Sequence, residues 1–172
     1  SWCLIPTLED PAIDFCDDTI ELTPGPSFSE YPVLVDQAGF TPSGVEQCVD
    51  NGPSVDTWFS FEAVTTNMAV RVKGVDDYDI VLEVWDFCNG ERLKCKNDRG
   101  EGDKETVLYT NCTIGETYYF RVYDAGGDEL ESSLLRASVA HFPITTLINS
   151  DCAAEFYLIS DTIRVIVPEV PV

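Results

Sequence analysis

Acidic residues cluster in stretches of the sequence that are also rich in turn-forming residues. One stretch reads Asp76-Asp77-Tyr78-Asp79, another runs from Asn97 to Asp103, and a smaller one contains Asp124, Asp128 and Glu129. Carboxylate and carbonyl oxygens on turns are the ligands that Ca²⁺ prefers, so these stretches predict a calcium site. No EF-hand loop is present, and a solvated acidic turn is the alternative interpretation of any single stretch. The candidate ligands are Asp76, Asp77, Asp79, Asn97, Asp98, Glu101 and Asp103.

Catalytic patterns of the familiar kinds are missing from the sequence. His141 is the one histidine, and it falls in an alternating stretch that is typical of a strand. The sequence has no Gly-x-Ser-x-Gly motif for a nucleophilic serine and no glycine-rich phosphate loop. Carboxylate pairs that hydrolyse glycosides depend on a separation in space that a sequence does not give. We therefore expect a protein without enzymatic activity.

Seven cysteines indicate disulfide chemistry. With no Cys-x-x-Cys pair and one histidine, disulfides in an oxidising compartment are favoured over zinc ligation. Cys88 and Cys95 flank Asn89-Gly90, a favoured hairpin turn, which predicts a disulfide between these two cysteines. Cys16 and Cys48 are the next choice for a pair. An odd number leaves one thiol free or bonded to another molecule, and the unassigned cysteines are Cys3, Cys112 and Cys152.

The charge balance limits the partners of this protein. Ten basic residues against 31 acidic ones give a net charge of −21. Such a surface repels nucleic acid and anionic lipid, because phosphate binding needs clustered Lys and Arg. No apolar run approaches the length of about 18–20 residues that spans a bilayer. The chain begins Ser1-Trp2-Cys3, as a processed protein would. We therefore expect an extracellular or cell-surface protein with no membrane span and no nucleic-acid partner.

The elements that must position these residues are short strands. From Asp56 to Asp124 the chain carries runs of β-branched and aromatic residues separated by Gly, Asn or Asp. Val70-Arg71-Val72-Lys73 alternates apolar and basic side chains, which is the period of a half-buried strand. Runs that recur every roughly 8–12 residues predict an all-β fold, an antiparallel β-sandwich. Val33 to Val35 and Leu134 to Phe142 supply further strands.

Extensions flank the predicted domain, which spans residues 14–143. Residues 1–13 precede it and residues 144–172 follow it. Ile163 to Val167 is a hydrophobic run interrupted only by Arg164, which predicts a strand. A strand without a partner is a template for edge pairing. It is either the last strand of its own sandwich or a donor strand that completes the sheet of a neighbouring copy. The residues that would make the second contact are Ile163, Val165, Ile166, Val167 and Val170.

An ordered series of these motifs resembles the bacterial pre-peptidase C-terminal domain over about residues 14–142. Relatives of that domain occur as repeats in surface proteins of Bacteroidetes-like bacteria. The resemblance implies a sandwich of jelly-roll or Greek-key type and a non-catalytic role as an accessory, carbohydrate- or protein-binding, or adhesive module. Some members bind calcium, which supports the calcium prediction. The motifs are Asp56 to Phe61, Asp77 to Asp86, Cys88, Cys95 to Asp98 and Gly115 to Val122.

Short patterns also suggest contacts with sugars. Asn111 begins an Asn-Cys-Thr acceptor pattern for N-glycosylation. Thr19 and Thr162 lie in Asp-Thr-Ile triplets similar to an O-glycosylation pattern of Bacteroidetes. Matches as short as these occur often by chance. Aromatic side chains could stack on sugars if exposed, although aromatics within strands are more often core; the candidates are Trp2, Trp58, Trp85 and Tyr123.

These observations lead to two functional hypotheses. The first is a structural or adhesive subunit of an extracellular filament, joined head to tail to copies of itself by exchange of terminal strands. The second is a monomeric accessory module of a larger secreted protein that binds carbohydrate or protein. Calcium is the one cofactor that we expect in either case.

Overall fold

The computed structural model describes residues 16–30, 32–38, 40–49, 54–75, 78–88, 90–126, 134–142, 156–159 and 162–165. Within these ranges the regular structure is all β, and no helix is long and apolar enough to cross a membrane. The strands are β1 (Ile20–Glu21), β2 (Val33–Asp36), β3 (Asp56–Glu62), β4 (Asn67–Gly74), β5 (Ile80–Trp85), β6 (Arg92–Lys96), β7 (Lys104–Tyr109), β8 (Thr117–Asp124), β9 (Leu134–Phe142), β10 (Phe156–Ile159) and β11 (Thr162–Val165).

Strands β1 to β9 form two sheets that pack face to face. One sheet has five strands in the order β1-β3-β8-β5-β6, and the other has four in the order β2-β9-β4-β7. Neighbouring strands are antiparallel, except for β1, which is parallel to β3. From β2 to β9 the chain crosses between the sheets in the order of a jelly roll. The predicted antiparallel β-sandwich of jelly-roll type is confirmed.

The main core lies between the sheets. Alternate residues of the facing strands point into it, as the period of a strand requires. Phe59 of β3 and Phe120 of β8 stack there with ring centroids 4.7 Å apart, and Val70 and Val72 of β4 close the core from the other sheet. Large aromatic rings bury much apolar area each, so this layer holds the two sheets together.

The outer face of the five-stranded sheet is covered by residues 40–49, which we call the covering segment. Val45 packs beside Trp58 and Trp85, and Val49 packs beside Tyr123. As a result all six residues of β5 are buried, and this strand lacks the alternation seen in β4. The outer face of the four-stranded sheet is covered only in part: Phe28 packs on Ala69 and Ala140, whereas Lys73, Lys104 and Arg136 are exposed.

The disulfides join other partners than predicted. Cys16 bonds Cys88 and Cys48 bonds Cys95, with Cα–Cα distances of 5.2 and 6.2 Å. The predicted Cys88–Cys95 and Cys16–Cys48 pairs are therefore wrong. The reason is the strand register: Cys95 lies opposite Glu83 on β5, whereas Cys88 lies in the turn beyond the end of that strand. Each bond instead ties an earlier segment of the chain to the β5–β6 hairpin.

One cysteine of the described residues, Cys112, carries a free thiol. It is buried, and desolvation raises the pKa of this thiol to about 11. It is therefore protonated at neutral pH, which makes it a poor nucleophile. Cys3 and Cys152 lie outside the described residues.

Strands β10 and β11 pair with each other in an antiparallel two-stranded sheet, with Ile163 opposite Leu158 and Val165 opposite Phe156. In the described part of the chain neither strand belongs to a sheet of the sandwich. The premise of the donor-strand prediction was a strand without a partner, and β11 has one in its own chain. Among the described residues β11 is also hydrogen-bonded to neither sheet of the sandwich, so it is not seen as the last strand of its own sandwich. Ile166, Val167 and Val170 lie outside the described residues.

Candidate functional site

A cleft with a volume of about 480 Å³ opens beside the exposed face of the four-stranded sheet. We call it the β6–β7 cleft, because the connection between these strands forms one wall through Asp98, Arg99 and Asp103. Strand β7 forms the floor, and Arg71 of β4 and Lys96 of β6 border it. The β7 residues that line it are Lys104, Glu105, Thr106 and Leu108.

A buried carboxylate fixes the β6–β7 connection against the sheet. Glu105 is 1% exposed, and its Oε1 accepts hydrogen bonds from the backbone N–H groups of Asp98 (2.7 Å) and Arg99 (2.5 Å). Hydrogen bonds to a charged acceptor are stronger than neutral ones. The wall of the cleft is therefore held in place without any ligand.

Arg71 is also held in a defined position. Its guanidinium carbon lies 3.9 Å from the centre of the Phe28 ring, and its Nε donates a hydrogen bond to Thr106 Oγ1 over 3.2 Å. A guanidinium stacked on an aromatic face keeps its planar fork oriented. The β6–β7 cleft thus presents cationic donors beside the hydroxyl of Thr106 and the carboxylate of Asp103, a set suited to polar or anionic ligands.

Sequence reasoning missed this cleft, although it left a signal. Five of the ten basic residues of an acidic chain fall between positions 92 and 104, namely Arg92, Lys94, Lys96, Arg99 and Lys104. That concentration marks a local departure from the overall charge. The position of these basic residues beside Arg71 depends on the pairing of β4 with β7, which the sequence alone does not give.

The predicted calcium ligands are placed in two regions. Asp79 precedes β5, while the others that the structure describes lie in the β6–β7 connection; Asp76, Asp77, Asp128 and Glu129 are outside the described residues. In the described part of the chain, the one group of acidic, Cys or His side chains with metal-ligand spacing is Cys16, Asp17 and Cys88. Two of its members form a disulfide, so it is no metal site. None of the predicted calcium ligands belongs to this group, and calcium binding stays a prediction.

Asp79 nevertheless lies in a strongly acidic environment. Its backbone N–H donates a hydrogen bond to Asp124 Oδ1 over 2.8 Å, which brings the two residues together. Desolvation, followed by the negative charges of Asp124, Glu101 and Glu105, raises the pKa of Asp79. The Oδ1 atom of Asp79 is buried and accepts no hydrogen bond among the described residues. This end of the sandwich therefore concentrates negative charge.

A buried ionic network lies under the covering segment. Arg121 of β8 is 1% exposed and contacts Glu83 of β5 (Nη2–Oε2, 2.9 Å) and Asp56 of β3 (Nη1–Oδ2, 3.3 Å). It also donates hydrogen bonds to the carbonyls of Val45 and Glu46 over 2.9 and 3.0 Å. Because its donors are used within the chain, Arg121 anchors the covering segment and is not available to a ligand.

The network also explains the aromatic residues of this face. Trp58 and Trp85 lie with ring centroids 5.7 Å apart beside Arg121. Tyr123 donates a hydrogen bond from its hydroxyl to Glu83 Oε1 over 3.1 Å, and burial raises the pKa of Tyr123 to about 12. Trp58 and Tyr123 are fully buried and Trp85 is 8% exposed, so these rings are not platforms for a sugar. Trp2 lies outside the described residues.

The predicted glycosylation residues have different environments. Asn111 is exposed in the connection that follows β7, where a glycan would find room. Thr19 is half-buried, and its hydroxyl is hydrogen-bonded to Ser60 Oγ over 2.7 Å, so modification would break a contact. Thr162 begins β11. Glycosylation of these residues stays a prediction.

Comparison with known proteins relates this chain to a known domain family. A T9SS-associated family model, described as galactose binding domain-like, matches residues 14–134. This match confirms the predicted resemblance to a β-sandwich domain of Bacteroidetes-like bacteria. No curated protein matches the chain. One similar solved structure is the pre-peptidase C-terminal domain of a collagenase from Bacillus anthracis; it shares 9% identity with a TM-score of 0.43, and the alignment covers 70% of this chain and 93% of that one.

Proposed function

Because the chain belongs to the T9SS-associated galactose-binding-domain-like family, we propose that it is a non-catalytic accessory module of an extracellular protein and that it binds carbohydrate. The proposed location also rests on the two disulfides, which form and persist in oxidising compartments. The proposed site is the β6–β7 cleft.

The observation that supports this site is a cleft whose walls are fixed before a ligand arrives. Glu105 holds the β6–β7 connection, and Phe28 and Thr106 hold Arg71. Sugar hydroxyls both donate and accept hydrogen bonds, and the cleft offers a donor at exposed Lys104 and an acceptor at Asp103. A site whose polar groups are held in place loses less entropy on binding, which favours affinity.

An acceptor in the cleft provides the test. We expect the protein to bind a neutral galactose-containing polysaccharide in isothermal titration calorimetry. Asp103→Ala removes a charged acceptor and should weaken binding by at least about tenfold. Asp18→Ala, which removes an exposed carboxylate that does not line the cleft, is the matched control and should bind as the wild type does. Equal affinities of the two variants would reject the cleft, and no binding to a panel of neutral and acidic polysaccharides would reject the function.

Head-to-tail assembly is a second and separate proposal, which rests on the β10–β11 hairpin. A two-stranded hairpin alone in water is marginally stable, so pairing with the sheet of a neighbouring copy would stabilise it. The intact chain should then elute from a size-exclusion column at a higher mass than a variant that lacks residues 160–172. Elution of both proteins as folded monomers would reject assembly.

Calcium binding also remains a proposal. Burial and then the charge of Asp124 raise the pKa of Asp79, and a divalent cation near these two residues would reduce the repulsion between them. The melting temperature should rise in the presence of Ca²⁺ and fall back when a chelator is added, because an ion that binds only the folded state stabilises it. Melting temperatures that do not respond to either addition would exclude a structural ion.

A further inference from the structure

Basic side chains are concentrated on one side of this acidic molecule. Six of the ten Lys and Arg residues lie on the exposed face of the four-stranded sheet or in the adjoining β6–β7 cleft. Of the chain's 31 acidic residues, the same face and cleft carry four: Asp36 at the end of β2, and Asp98, Asp103 and Glu105 in the cleft lining. The surface is therefore locally basic although the whole chain carries −21. The six residues are Arg71, Lys73, Lys96, Arg99, Lys104 and Arg136.

Three of these cations form a single row across the sheet. Lys73 of β4 is the register partner of Lys104 on β7 and of Arg136 on β9. Strand β4 lies between β7 and β9, so the three side chains are consecutive neighbours. All three are exposed. We call them the basic row.

The basic row is unfavourable for the folded chain by itself. Like charges directly opposite each other on neighbouring strands destabilise a sheet. Ion pairs among the described residues involve other cations, such as Arg92, Lys96 and Arg121. An anionic ligand would relieve this repulsion.

We propose that the basic row and the β6–β7 cleft together bind an anionic polysaccharide, one whose sugars carry sulfate or carboxylate groups. This inference rests on the proposed carbohydrate-binding function and adds the class of ligand. Arg71 lies one row from the basic row, and its guanidinium, stacked on Phe28, continues the positive charge from the row into the cleft. The contact surface thus continues from the cleft onto the open sheet.

The spacing of the row favours a polymer over a single small anion. Neighbouring strands lie about 4.8 Å apart, which is comparable to the length of one sugar residue along an extended chain. Lys104, Lys73 and Arg136 would therefore each meet a charge on a successive sugar. Repulsion from the rest of the acidic surface is screened beyond roughly 8 Å at physiological salt, whereas direct contacts persist.

Two exposed strand lysines give a matched pair of variants. Lys73→Gln removes the centre of the basic row, and Lys94→Gln on β6 removes the same charge outside the row and the cleft. Calorimetry at physiological salt would compare a sulfated galactan with its neutral counterpart. We expect the wild type to prefer the sulfated polymer and Lys73→Gln to bind it about fivefold more weakly. The double variant Lys73→Gln/Arg136→Gln should lose more affinity for the sulfated polymer, and Lys94→Gln should bind it as tightly as the wild type.

The outcomes separate this inference from the function on which it rests. Binding of neutral and sulfated polymers with equal affinity would overturn the inference and leave the carbohydrate-binding function intact. An equal loss of affinity for the sulfated polymer in Lys73→Gln and Lys94→Gln would also overturn it, since the affinity would then depend on the total charge and not on the basic row. No binding to either polymer would reject both proposals. Equally tight binding of double-stranded DNA would reject a polysaccharide as the specific partner.

Discussion

The two sheets of the sandwich use their outer faces differently. The five-stranded sheet is covered on that side by residues 40–49, and its charged residues Glu83 and Arg121 are buried beneath them. The four-stranded sheet is covered on its outer face around Ala69 and Ala140, where Phe28 packs, and leaves open the part that carries Lys73 and Arg136. One face contributes to the fold, and we assign the other to binding.

Hydrogen bonding explains why charged residues differ so much between these faces. Arg121 contacts two carboxylates and two backbone carbonyls, and Glu83 also accepts a hydrogen bond from the backbone N–H of Cys48 over 2.8 Å. A buried ion is tolerated only when its partners satisfy it in this way. The cations of the basic row need no partners within the protein because water solvates them. They can therefore exchange this water for a ligand.

The largest difference in stability is expected between variants of two arginines, one on each face. Arg121→Met would leave the carboxylates of Glu83 and Asp56 buried without their cation, and the free energy of unfolding should fall by roughly 3–5 kcal/mol. Arg136→Met on the open face should change it by less than about 0.5 kcal/mol. Urea denaturation measures both values. Similar losses in the two variants would mean that the faces do not differ as described.

A smaller effect is expected when the covering segment is released from β6. Cys48→Ser/Cys95→Ser removes a disulfide that closes a 47-residue separation, and stability should fall by roughly 2–4 kcal/mol. Amide hydrogen exchange should accelerate in residues 40–49 and stay slow in β4. Cys112→Ala, which removes a thiol but no disulfide, is the control. Equal acceleration of amide exchange in both sheets would contradict the idea that this disulfide holds the covering segment in particular.

The acidic end of the sandwich should show a modest dependence on pH. Because the pKa of Asp79 is raised on folding, the folded state binds this proton more tightly. The stability that protonation adds is complete below the unfolded-state pKa and is lost as the pH rises through the folded-state pKa. Asp79→Asn should therefore stabilise the metal-free protein at pH 7, by less than about 1 kcal/mol, and the gain should vanish in acid. A destabilised variant at pH 7 would show that the negative charge is needed there.

The smallest effect concerns the ligand-free basic row. Lys73→Gln relieves repulsion from Lys104 and Arg136, so the free energy of unfolding should rise by roughly 0.2–1 kcal/mol relative to Lys94→Gln. Chemical denaturation in low salt would resolve the difference best, since salt screens the repulsion. A lower stability of Lys73→Gln would imply that the row makes favourable contacts in the free protein.

Strand β4 of the four-stranded sheet could be predicted because its outward side chains face solvent, which gives the sequence an alternating pattern. Val70-Arg71-Val72-Lys73 alternates, and the structure buries the valines and leaves the basic residues toward solvent. In β5 the run from Ile80 to Trp85 is buried on both faces, so its apolar composition predicted a strand but not the segment above it. Burial of Glu83 depends on Arg121, which lies 38 residues away in the sequence.

Disulfide pairing and the cleft could not be predicted for the same reason. Cys88 and Cys95 are close in sequence, yet the register sets Cys95 opposite Glu83 and leaves Cys88 in the turn. Likewise, the β6–β7 cleft joins Arg71 to residues 96–108 only because β4 pairs with β7. Both features are set by strand register, which local patterns do not encode.

Mapping of the bound surface tests the central assignment most directly. Amide hydrogen exchange would be measured on the intact protein with and without a saturating sulfated galactan. We predict slower exchange in residues 96–108 and at the end of β4 near Lys73, with no change in the covering segment. Protection confined to residues 40–49 and β5 would contradict the account, because it would place the ligand on the face that we assign to folding.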